Sequence, residues 1–300
     1  MSVLVVGSIA LDNVETPFGK NEEVLGGSAS YFSFAANFFT DVKIVAVIGE
    51  DFPDDYLEMF KSKEIELKGV RKSSGKTFRW HGKYGYDLGD PQTLGTYLNV
   101  FETFDPEIPE DYRDADYVFL ANINPELQLN VLKQVRLPTL VALDTMNYWI
   151  ENKLRELKEV LQMVNILVVN DSEARELAKE PRITKAARIV LDMGPEVLIV
   201  KRGEYGALLF SEEGIFWAPS YPLEEVVDPT GAGDTFAGGF MGYISGNGIT
   251  SPDGFKRGVV YGSVIASFTV EDFSVNRIFS LQKEEIDTRF GAFLKLSNLD

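Results

Sequence analysis

The chain has 300 residues, 45% hydrophobic and 25% charged, the balance of a globular protein rather than a disordered or fibrous one. Its 29 basic and 46 acidic residues leave a net charge of −17, which disfavours nucleic acid and anionic membrane surfaces as partners. Zero cysteines exclude disulfides, thiolate metal sites and cysteine nucleophiles, and a single histidine, His81, argues against a His-rich metal centre or a Ser-His-Asp triad.

Met1 to Ala10 lacks the basic start of a signal peptide, and no run approaches about 18 uninterrupted apolar residues, so a cytoplasmic protein with no membrane span is expected. Val3 to Val6 reads as a buried first strand ending at Gly7. Gly26-Gly27 precedes a helical stretch from Ser28 to Phe39, rich in small and aromatic residues. Val42 to Ile48 is a second apolar strand, and Asp54 to Lys63 an amphipathic helix. From about Lys68 to Val100 the texture changes. Lys76-Thr77-Phe78-Arg79-Trp80 alternates polar and apolar residues, and glycines at 75, 82, 85, 89 and 95 punctuate the segment. This pattern predicts half-exposed antiparallel strands, to which residues 13–25 add one or two more.

After Asp116 short apolar strands recur at Tyr117–Ala121, Thr139–Leu143, Ile166–Val169 and Val197–Val200. Helical patterns lie between them near Pro125–Val135, Ile150–Met163 and Ser172–Asp192. Such alternation predicts a largely parallel sheet covered on both faces. Ala207–Phe210 and Gly214–Trp217 read as a hairpin at the sheet's end, and Ala232–Ser245, Pro252–Val270 and Lys283–Lys295 as helices.

The most informative stretch runs from Asp228-Pro229-Thr230-Gly231-Ala232-Gly233-Asp234 into a small-residue helix. The first N–H groups of a helix have no internal partner, and the helix dipole adds partial positive charge there. Gly231, Ala232 and Gly233 therefore form a candidate anion cradle. Asp234 would repel a phosphate unless it has another task. Accepting a hydroxyl proton beside a phosphoryl group is such a task, and an ordinary helix cap is the alternative.

The run from Asp228 to Met241 resembles the second signature of the ribokinase-like (PfkB) carbohydrate kinase family. No Walker loop or dinucleotide fingerprint is present. The resemblance extends along nearly the whole chain. Gly7-Ser8-Ile9-Ala10-Leu11-Asp12 is similar to the family's first strand and substrate aspartate, and Gly26-Gly27 to its double glycine beside the sugar. Asn170-Asp171-Ser172-Glu173 resembles the N-x-x-E motif that organises magnesium and phosphates, largely through water; Asn170 and Glu173 also have the spacing of a plain capping box. Lys201 and Gly203 occupy the family's nucleotide-side strand end, where Lys201 faces either phosphates or solvent. Gly262 is either a small residue admitting adenine or a site of helix packing.

Two departures stand out. The family commonly has Asn five residues after the first glycine of the pair; this chain has Tyr31, either a core residue or one that stacks on a sugar or base. Asp144-Thr145-Met146-Asn147 has no arginine close behind, which weakens any expectation of an acidic or phosphorylated sugar, although Arg79, His81 or Lys83 could supply charge.

The resemblance implies an α/β ribokinase-like three-layer sandwich with a mostly parallel central sheet. Its core would be residues 1–12, 26–67 and 104–300, and residues 13–25 and 68–103 would form a β lid that excludes water. The lid's outer face could pair two subunits as a homodimer. The implied activity is ATP- and Mg²⁺-dependent phosphorylation of a hydroxyl on a sugar or sugar-like molecule, with Asp234 as general base. A monovalent cation near Asp228–Thr230 is a further implication. A nucleoside acceptor is the alternative, and a non-catalytic binding module is the reading from another class.

Overall fold

Strand β1 (Ser2–Val6) is apolar at every position after Ser2, because both its faces are covered. Val3 and Val5 face one hydrophobic cluster, while Leu4 and Val6 face another. The same division recurs in β8 and β10, so the main sheet is the middle of three layers. The computed structural model describes residues 1–296.

In chain order the strands are β1, β2 (Ala10–Thr16), β3 (Gly19–Gly26), β4 (Asp41–Gly49), β5 (Glu66–Ser73), β6 (Phe78–Lys83), β7 (Gln92–Tyr97), β8 (Tyr117–Leu120), β9 (Leu140–Asp144), β10 (Ile166–Asn170), β11 (Val197–Lys201), β12 (Ala207–Ser211) and β13 (Gly214–Ala218). The helices are α1 (Ser28–Ala36), α2 (Asp54–Ser62), α3 (Pro125–Gln134), α4 (Asn147–Asn152), α5 (Leu154–Leu161), α6 (Asp171–Ala178), α7 (Ile183–Leu191), α8 (Ala232–Asn247), α9 (Pro252–Thr269), α10 (Asn276–Ser280) and α11 (Lys283–Leu296). Nine strands form the central sheet in the order β13-β12-β11-β10-β9-β8-β1-β4-β5. Pairing is parallel from β5 to β11, and β12 and β13 close one end as an antiparallel hairpin. A second, four-stranded sheet has the order β3-β2-β6-β7. This is a ribokinase-like α/β sandwich with a smaller lid sheet.

Several boundaries differ from the sequence expectation. Residues 68–73, expected in the lid, belong to β5, which pairs with β4 at the edge of the central sheet. The lid sheet also takes in Ala10–Asp12, through β2. The predicted helix over 172–192 is two helices, because Lys179 turns left-handed at φ 52° and Pro181 cannot continue the ladder. The predicted helix over 150–163 is likewise divided, at Lys153.

The glycine- and alanine-rich make-up of α8 follows from close packing. A Cβ on Gly238 would lie 2.3 Å from the Phe32 carbonyl oxygen of α1, and one on Gly262 of α9 would lie 2.7 Å from the Phe236 carbonyl oxygen of α8. Thr235 and Thr269 also share a buried hydroxyl hydrogen bond of 3.0 Å. These contacts fix the N-terminus of α8 over the carboxyl ends of the central strands. Among the described residues no helix is long and apolar enough to cross a membrane.

Candidate active site

The site forms where parallel strands end, the usual place for ligands in open α/β sheets. Asp144 ends β9, Asn170 ends β10 and Lys201 ends β11, with Asn170 and Lys201 direct register partners. Lys201 Nζ lies 3.3 Å from Asp144 Oδ2. A Cβ on Gly233 would stand 3.0 Å from the same ammonium, so the bare first turn of α8 leaves room for it. Burial works against the Lys201 charge, but Asp144, Glu173 and Asp234 together hold it above the usual lysine value. Between the two sequence alternatives, solvent or site, the lysine points into the site.

Asp234 sits in the first acidic turn of α8, partly open to the cleft. Burial pushes its carboxyl up to about 7; Asp144 adds to the rise and Lys201 opposes it. Gly231 caps this helix at φ 75°, a left-handed conformation that favours glycine. A Cβ there would also lie 2.4 Å from three ring atoms of Tyr31, so the turn rests on the face of that ring. Tyr31 is only 2% exposed. It is thus a buried wall behind the anion turn rather than an open platform for stacking. Burial, then Asp228 and Asp12, hold its phenol well above its ordinary pKa, so it stays neutral.

Asp12 lies across the cleft on β2 and is 5% exposed. Burial raises its carboxyl to about 7; Trp80 and Gly27 backbone N–H groups pull the other way, while Asp228 and Asp234 push it further up. Among the described residues its Oδ1 has no hydrogen-bond partner. Gly26 makes space for it, since a Cβ there would fall 1.9 Å from Asp12 Oδ2. Gly27, at φ 92°, packs on the Ser8 carbonyl. The double glycine thus lets the β1–β2 connection and the Asp12 carboxyl close together.

Asn170 and Glu173 form a complete capping box: Asn170 Oδ1 accepts from the Glu173 N–H at 2.8 Å, and Glu173 Oε2 accepts from the Asn170 N–H at 2.7 Å. Burial, then Asp144, raise Glu173 to about 7. Asp228 Oδ1 accepts from the Thr230 N–H at 2.9 Å and so shapes the turn just before Gly231. Two more expected residues are glycines. Gly262 is turned into α8, where the Phe236 carbonyl fills the space its missing side chain leaves. Gly203 opens a short turn beyond β11, and a Cβ there would meet nothing within 4 Å.

The lid contributes residues that sequence reasoning passed over. Tyr84, just beyond β6, reaches the turn, where the Thr230 hydroxyl donates to its Oη at 3.2 Å. Arg79 carries no free charge to the cleft; it bridges Glu23 at 2.6 Å and Asp51 at 2.8 Å, joining lid to core. His81 bonds Asn13 at 2.9 Å, and Lys83 pairs with Glu15. Asp144 was visible in sequence as the acid ending an apolar strand, a position that itself marks a site in parallel sheets. Nothing in the sequence linked Tyr84 to a residue 146 positions away.

The site therefore holds a helix N-terminus with bare backbone, one carboxyl poised near neutrality beside it, a partly buried ammonium, and on the lid side a second carboxyl whose Oδ1 has no partner among the described residues. The chain belongs to the pfkB family carbohydrate kinases, whose pattern it matches over residues 3–279. It is 32% identical over 256 residues to the cytidine kinase of Thermococcus kodakarensis, covering 82% of this chain and 90% of that one. It is 24% identical over 291 residues to a nucleoside kinase of Methanothermobacter thermautotrophicus, covering 90% and 89%. Its fold matches Burkholderia thailandensis nucleoside kinase in complex with inosine at a TM-score of 0.79 and 19% identity, over 98% of this chain and 99% of that one.

Proposed function

We propose that this chain is an ATP-dependent nucleoside kinase that phosphorylates the primary alcohol of a ribonucleoside, with cytidine the first acceptor to test. The observation that carries the phosphotransfer reading is the placement of Asp234. It sits in the first turn of α8, beside the anion turn, within electrostatic reach of Asp12, whose Oδ1 has no partner among the described residues. The nucleoside rather than a free sugar is favoured by the cytidine and nucleoside kinases among the relatives. The general expectation of a sugar thus gives way to its nucleoside alternative.

Asp12 accepts hydrogen bonds from acceptor hydroxyls, the role an unpartnered buried carboxylate oxygen fits. Asp234 takes the proton of the attacking hydroxyl as its oxygen forms a bond to the γ-phosphorus and the bond to the ADP oxygen breaks. A carboxyl poised near 7 suits that exchange at neutral pH. The N–H groups at Gly231 and Gly233 hold the charge on the transferring oxygens, with the Lys201 ammonium close to Gly233; the Ala232 N–H, expected in the same role, is instead given to the Pro229 carbonyl at 3.2 Å and shapes the turn. Asp144 raises the Glu173 carboxyl, and the oxygen donors at the ends of β9 and β10 are the kind magnesium takes; Asn170 and Glu173 would hold it through water. Magnesium, when bound, supplies neutralisation of the phosphate charge.

The test is magnesium-dependent ADP formation with a panel of nucleosides, free sugars and polyols, each product identified by phosphorus NMR. A ribonucleoside should give the highest kcat/KM and a phosphomonoester on its primary carbon. Preference for a free sugar or polyol would contradict the nucleoside assignment. Ligand-induced thermal stabilisation with no turnover would support a binding module instead.

A further inference from the structure

We propose that Tyr84 is a positioning residue, whose hydroxyl ties the lid to the anion turn through Thr230 and so couples lid placement to the geometry of phosphoryl transfer. The tie itself is a structural claim; its catalytic consequence rests on the phosphotransferase reading above.

The turn is held from three directions. Asp228 bonds the Thr230 N–H from the core, the Tyr31 ring supports Gly231 from α1, and Tyr84 meets the Thr230 hydroxyl from the lid. Both partners in that last contact are buried, Tyr84 at 7% exposure and Thr230 at 9%. The Tyr84 ring packs in a small cluster with Val14 and Phe273, flanked by Trp80, Leu88 and Val227. A phenylalanine would satisfy all those apolar contacts. A buried hydroxyl is costly unless it is hydrogen-bonded, and burial together with Asp228 and Asp12 keeps this phenol well above its ordinary pKa. The hydroxyl's visible partner is Thr230.

Tyr84 is also fastened to the acceptor side. Its backbone N–H donates to the Glu15 carbonyl at 2.8 Å, which fastens it to β2, the strand that carries Asp12. The residue that meets the acceptor and the residue that meets the turn are therefore on one sheet. When the lid lies against the core, Asp12 and Tyr84 arrive together, and the turn is fixed as the acceptor hydroxyl is enclosed.

The experiment compares wild type, Tyr84→Phe, Thr230→Val and the double variant. Amide hydrogen exchange is read at Thr230 and Ala232 without substrates, alongside melting temperature, kcat and the KM values. We expect Tyr84→Phe to speed exchange at these two amides about tenfold, the size of one net hydrogen bond, with the melting temperature within about 2 °C of wild type. It should lower kcat about tenfold with little change in the KM for ATP, and the double variant should be no worse than Thr230→Val. Unchanged exchange at both amides, or additive losses in the double variant, would overturn the tie. If the wild type turned over no acceptor, the kinase reading would fail while the exchange measurement still decided the tie.

Discussion

Asp12 is a buried carboxyl with no cation beside it among the described residues, and its energetics follow from that. Its folded pKa of about 7 lies above its ordinary 3.8. Between these values the folded chain keeps a proton that the unfolded chain has released. Stability therefore falls as pH rises from about 4 to 7, and the ionised group weighs against folding above that. Asp12→Asn should raise stability at pH 8 by up to about 4 kcal/mol, several degrees in melting temperature, and give almost no gain at pH 4. The same substitution should lower acceptor kcat/KM by about one to two orders of magnitude through lost charge-assisted hydrogen bonds. Thermal melts at both pH values, with acceptor kinetics, check both halves. Equal melting temperatures of the two proteins at pH 8 would mean that Asp12 is not held by burial as described.

Helix α8 shows how packing at the level of elements positions chemistry. Gly238→Ala adds helix propensity worth about 1 kcal/mol. The new methyl would stand 2.3 Å from a backbone oxygen of α1, which cannot swing away. Overpacking costs about 1–3 kcal/mol, so the clash should win and the melting temperature should fall by several degrees. Gly291→Ala in α11, where a Cβ meets none of the described residues within 4 Å, should instead leave stability equal or slightly higher. Thermal unfolding of the two variants side by side tests this, and equal behaviour would refute the packing explanation for α8. The layered sheet was legible in sequence because both-face burial makes each strand a continuous apolar run, as in Leu4–Val6 or Ile166–Val169. The glycine turn was legible because its residues are contiguous. The double role of Gly26, the covered face of Tyr31 and the Tyr84–Thr230 contact were not, since each joins segments far apart in the chain. Gly262 stayed open between two readings for a related reason: a bare glycine fits a ligand or another helix equally well until its neighbour is known.

For the whole molecule, the relation of lid to core rests on a junction outside the cleft. Thr77 donates its N–H and hydroxyl to Asp51 at 2.7 and 2.8 Å, and Arg79 joins Asp51 to Glu23. Arg79→Ala removes the Glu23 arm while the Thr77 contacts remain. Because Glu23 is half exposed, the pair contributes modestly to stability. Its effect should appear in lid placement: acceptor KM should rise about three- to tenfold while KM for ATP stays within about twofold, as expected for a loss near 1 kcal/mol. Steady-state kinetics with each substrate varied in turn checks this. Parallel rises in both KM values would mean that the junction does not act through the lid.

The central claim is that Asp234 is the base for phosphoryl transfer, and Asp234→Asn tests it most directly. Asparagine is nearly isosteric but cannot accept a proton at neutral pH, and the glycine turn is untouched. With the preferred nucleoside, kcat should fall about 10²- to 10⁴-fold. ATP affinity should stay the same or rise, because a negative charge beside the phosphates has gone. The wild-type rate should climb with pH through about 7, where Asp234 ionises, and the variant's residual rate should lack that limb. A folded Asp234→Asn protein with near-normal kcat and the wild-type pH profile would contradict the account.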